Sequence, residues 1–158
     1  MARSQATLED GFNGMGLYTV ELDAAEALAS VYDVYFLEAM ANGIPVSAGS
    51  TELAKAAFLA ALTGMSAPGA GVAKIASAVS AYWVAIVAAA TTVFAGCLLI
   101  TPPPTLGVIS VALSVVFSQN IAEGSSKTVC SERIAGVLHV NSSGGTATFP
   151  PSLVATIE

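Results

Sequence analysis

Charge is the scarcest commodity in this chain. Asp, Glu, Lys and Arg make up only 10% of its 158 residues, less than half the share usual in a soluble domain. Between Ile75 and Ala122 there is no Asp, Glu, Lys, Arg or His at all. Positive charge is scarcest: five Lys and Arg stand against eleven Asp and Glu, for a formal net charge of −6. No basic cluster occurs, so the electrostatic footprint of a nucleic-acid binder is missing. Anionic lipid headgroups would gain nothing from such a surface either. Intrinsic disorder is excluded too, because 54% of the residues are hydrophobic and disordered chains are apolar-poor and charge-rich.

Groups that carry chemistry are equally few. The one histidine, His139, has no neighbouring cysteine or acid in the sequence, and reads as structural rather than as a catalytic group or metal ligand. Two cysteines, Cys97 and Cys130, are too few for a disulfide framework. Cys97 sits in an apolar run, where a thiol behaves as a small hydrophobe. Arg133 follows Cys130 by three residues, a weak arrangement for activating a thiol. Glu26, Asp33 and Glu38 are spaced as the solvated side of an amphipathic helix. The glycines of Gly11–Gly16 follow no buried strand, and in MSAPGAGVAK the lysine, Lys74, stands three residues after Gly71, so neither is a phosphate loop. No catalytic residue, cofactor site, metal site or small-molecule substrate is expected, and an enzyme is not.

What the chain has in abundance is apolar surface to hide. Ser80–Ile100 is as long and neutral as a bilayer span, and Leu106–Phe117 forms a second apolar run beyond Pro102–Pro104. A small monomer has too much surface to bury that much by itself, which points to an oligomer or a membrane. Against the membrane, much of 80–100 is Ala and Thr, and cationic anchors are poor, with Lys74 upstream and Lys127 far downstream. The opening MARSQATLEDGFNG lacks the apolar core of a secretory signal, and an intracellular product, or one released by lysis, is the simplest expectation.

The punctuation predicts a single, mainly α domain: four to five helices packed as a small bundle over 19–140, an extended N-terminal arm over 1–18, and a short β or extended tail over 141–158. The dense glycines Gly11, Gly14 and Gly16 suggest the arm. Thr19 is the expected N-cap of a first helix that carries Leu28, Val31, Tyr32, Tyr35 and Met40 on its inner stripe and ends at Asn42-Gly43. A second helix follows Ser50 or Thr51, and a third starts near Val72. From Ala88, and again over Thr105–Phe117, β-branched residues leave helix and strand both open. A last helix opens at Ser126 or Thr128, with Glu123 and Glu132 solvated. Thr146–Phe149 and Leu153–Ile157 read as short edge or tail strands around Pro150-Pro151.

AKIASAVSAYWVAIV (Ala73–Val87), the TPPP break at Thr101–Pro104, the apolar run after it and SERIAGVLHV (Ser131–Val140) before a Thr-rich extended segment resemble, in their arrangement, small Ala- and Thr-rich virion proteins of tailed bacteriophages. The resemblance covers about half of the chain. It implies a non-enzymatic component of a tail, neck or baseplate, present in several copies, whose partners are copies of itself and other virion proteins. Phe12, Tyr82, Trp83 and Phe149 are the expected subunit-interface residues, aromatics being favoured at protein interfaces. The competing expectation is an integral membrane protein, holin-like or channel-forming, spanning near 80–100.

Overall fold

The computed structural model describes residues 2–47 and 49–158. Among them are seven α-helices: α1 (Gln5–Gly14), α2 (Glu21–Leu37), α3 (Glu52–Ala61), α4 (Gly71–Ala88), the single turn α5 (Ala90–Val93), α6 (Ile109–Glu123) and α7 (Lys127–Ser142). A two-stranded hairpin pairs β1 (Met40–Ala41) with β2 (Ile44–Pro45), and an antiparallel sheet of order β3-β4-β5 joins Leu99–Thr101, Thr146–Phe149 and Leu153–Thr156. The mainly α class is as expected; four to five helices is an undercount.

The largest correction lies at the N-terminus, where a helix replaces the extended arm. Ser4 caps α1 through its hydroxyl, which accepts from the Ala6 amide, and Glu38 accepts from the Ser4 amide and the Thr7 hydroxyl. A cap contributes about 1 kcal/mol, and fully burying Leu8 contributes about 1.5–3 kcal/mol. Together they outweigh the roughly 1 kcal/mol that a glycine costs inside a helix. Gly11 serves close packing: a Cβ there would lie 2.6 Å from Val31 Cγ1 on α2.

Helix α2 ends before Asn42-Gly43. Those two residues adopt φ of 52° and 73° and form the turn between β1 and β2, since positive φ at both central residues is what a tight hairpin asks for. In the middle of the chain, α4 stops at Ala88 and β3 begins only at Leu99, so residues 80–100 are not one continuous helix. Over 109–123 helix prevails despite the valines, because Ile109 and Leu113, one turn apart, are both buried with Phe117 packed on the core behind them. Ser126 caps α7 as expected. Strands β4 and β5 fall where they were expected, but β4 is the central strand, flanked by the unanticipated β3.

The core is aromatic and lies among α2, α3 and α4. Tyr32 stacks on Phe58 with ring centroids 5.3 Å apart and meets Tyr82 edge-on at 5.0 Å, while Phe36 meets Trp83 edge-on at 5.2 Å. Ile100 of β3 and Ala147 of β4 pair across the sheet, both buried. Arg3 binds the two ends of the chain together. Its buried guanidinium donates to the carbonyls of Ser142 and Ile157, both at 2.5 Å, and its carbon lies 5.6–5.8 Å from the ring centres of Tyr35, Phe36 and Trp83.

Candidate functional site

The histidine, the core tyrosines and Asp33 are tied up by hydrogen bonds within the fold. His139 Nδ1 lies 2.8 Å from the Tyr35 hydroxyl. Burial, and secondarily the Arg3 charge, hold His139 below its ordinary 6.5, while burial pushes the Tyr35 phenol up. Both shifts favour the neutral forms, so a single hydrogen bond joins the phenol and the imidazole, its direction set by the tautomer of the ring. Trp83 Nε1 donates to the Tyr32 hydroxyl at 3.0 Å, which donates to Ser142 Oγ at 3.0 Å. Asp33 corrects an expectation: it is buried, not solvated, and accepts from the Tyr82 hydroxyl at 2.7 Å. Glu38 likewise leaves the solvated side to hold the start of α1. Every fully occluded side-chain nitrogen or oxygen among the described residues is hydrogen bonded, and no group of three or more His, Cys, Asp and Glu side chains gathers among them. Both cysteines are free thiols.

The expected interface aromatics do not reach the surface. Tyr82, Trp83 and Phe149 are buried in the chain's own core, because α4 turns its aromatic stripe toward α2 and Phe149 lies on the inner side of β4. That corrects their assignment as interface residues of this fold. Phe12 is half-buried, packed against the core from α1.

The exposed apolar surface lies elsewhere, on the outward sides of α4 and α6. Val84 is 70% exposed, Val111 66% and Val115 62%, with Val108 and Ala122 continuing the α6 stripe at three- to seven-residue intervals. Val84, Val87, Pro102 and Leu106 line a shallow apolar groove between α4 and the proline loop. Leu98 and Leu99, at the start of β3, are exposed as well. This surface drew no candidate residue from the sequence. The available signal was that 106–117 is uncharged, with Ser110 and Ser114 its only polar side chains, more apolar surface than one covered helix face needs; only Ile109 and Leu113 of α6 are buried by the chain itself.

By length and composition, Gly71–Ala88 and Leu106–Glu123 could each cross a membrane, with 28% and 17% of these stretches buried inside the protein. No protein-family model, curated protein or solved structure matches the chain.

Proposed function

We propose that this chain is a non-enzymatic structural protein that assembles in several copies, through the outward side of α4 and α6, as a component of a tailed-phage tail, neck or baseplate. The observation that carries the assembly reading is the exposed, uncharged valine stripe of α6, Val111 and Val115, together with the exposed Val84 of α4. Exposed apolar residues scattered singly are ordinary, whereas a contiguous patch marks an interaction surface. At roughly 25 cal/mol per Å² of apolar area covered, a modest contact repeated around a ring becomes strong. Placement in a phage particle draws on the resemblance of Ala73–Val87, Thr101–Pro104 and Ser131–Val140.

The second reading, a membrane component, draws on the same two apolar helices. It asks α4 to leave the core, which would strip the Tyr82 hydroxyl from Asp33 and the Trp83 indole from Tyr32. Each broken buried hydrogen bond costs about 1–3 kcal/mol, and the assembly reading involves none of them. Expression followed by cell fractionation without detergent separates the two. Soluble, monodisperse, high-mass particles are expected; recovery from membranes after detergent extraction alone would overturn assembly in favour of the membrane.

A further inference from the structure

A second feature is independent of the outward face. A cavity of about 250 Å³ opens among α1, α2, α3, α4 and α7, and α6 contributes nothing to its wall. Phe12, Leu28, Phe58 and Ile75 form its apolar side. Helix α7 supplies the other wall through Lys127, Ser131, Ile134 and Leu138, residues three and four apart that share one helix face. Along that wall the chemistry changes from a cation and a hydroxyl to pure hydrocarbon. Lys127 is exposed at the rim, the sole charged side chain on the lining, and gives one of its three donors to the Met15 carbonyl. Ser131 is only 4% exposed, and its hydroxyl is hydrogen bonded to no protein group among the described residues. The first turn of α7 begins at Lys127, so the positive end of a helix of 16 residues adds to the field at the same end.

We infer that this cavity binds a medium-chain fatty carboxylate, with its head at Lys127 and Ser131 and its chain along Ile134 and Leu138. The single cation and free hydroxyl match one monoanionic head. The length follows from volume: a cavity of roughly 150 Å³ takes up benzene, a six-carbon ligand, so 250 Å³ accommodates about eight to ten carbon-sized atoms. Apolar walls with a few converging polar groups are the usual build of a small-molecule site.

The test is calorimetric titration of the full chain with octanoate, and with octan-1-ol as the uncharged equivalent. Saturable one-to-one binding of octanoate is expected, at least tenfold tighter than octanol. Lys127→Met should weaken octanoate about tenfold and leave octanol unchanged, and Ser131→Ala should weaken octanoate about two- to tenfold, the worth of one hydrogen bond. Ile134→Trp, verified as folded by circular dichroism, should abolish binding of both. Octanoate should also slow alkylation of Cys130, which lines the cavity, in the unsubstituted chain, a readout free of any folding effect. Absence of saturable octanoate binding to the folded chain would overturn the inference. So would octanol binding as tightly as octanoate, or Lys127→Met leaving octanoate affinity unchanged.

Discussion

Replacing Arg3 with alanine should destabilise the protein by about 2–4 kcal/mol. The side chain is buried and holds no carboxylate side chain; its partners are the carbonyls of Ser142 at 2.5 Å, Ile157 at 2.5 Å and Glu158 at 3.3 Å. Truncation orphans two buried acceptors, each at about 1–3 kcal/mol. It also removes the contact over three aromatic rings, about 0.5–1 kcal/mol or more. The opposing term is the desolvation of a buried cation, the same effect that lowers the Arg3 pKa, and its relief brings the sum down to the stated range. For a domain of this size about 2–4 °C of melting temperature accompanies each kcal/mol, so a loss of about 5–15 °C is expected by calorimetry or urea titration. Arg3→Lys should fall between, since an ammonium keeps the charge but lacks the planar fork that serves several carbonyls. The loss should be nearly independent of salt, because a buried contact is poorly screened. A stability change under about 0.5 kcal/mol in Arg3→Ala would refute the reasoning.

Three further outcomes follow from particular contacts. Gly11→Ala should cost about 1–3 kcal/mol by overpacking against Val31, 2.6 Å from the new Cβ, and Val31→Ala in the same chain should recover part of it in a double-mutant cycle. Tyr82→Phe removes the donor to Asp33 and should cost about 1–3 kcal/mol in urea unfolding; an unchanged midpoint would mean that the carboxylate finds another partner. His139 titrates below 6.5 in the fold, so its contribution to stability is full above that pH and is lost as pH falls through the depressed folded value. His139→Gln should therefore flatten the fall in melting temperature between about pH 7 and pH 5, and an unaltered slope would assign that dependence to other groups.

Which features were legible in the sequence has a physical pattern. Elements with a strong local signal were placed well: Ser126 caps α7, and Thr146–Phe149 alternates as β4 does. Asn42-Gly43 terminates an apolar-periodic run and so reads as a helix stop, yet the same dipeptide is the strongest two-residue hairpin signal. Gly11, with Gly14 and Gly16, suggests a loop or extended arm, whereas it permits contact with a valine that no local pattern reveals. Asp33 sits between apolar residues on α2, and its solvation could be judged only by knowing that Tyr82 faces it across the core. The same limit applies to Tyr82 and Trp83, since aromatics favour cores and interfaces alike and only tertiary packing decides between them. Neither the valine stripe of α6 nor the α7 wall of the cavity could be separated from ordinary helix packing before the partners of each face were known.

Mass in solution tests assembly through α4 and α6 most directly. Sedimentation velocity of the detergent-free protein should give a discrete oligomer, and Val111→Glu combined with Val115→Glu should yield folded monomer with an unchanged circular dichroism spectrum. A monomer before substitution, or an oligomer that survives both changes, would contradict the assignment of that face.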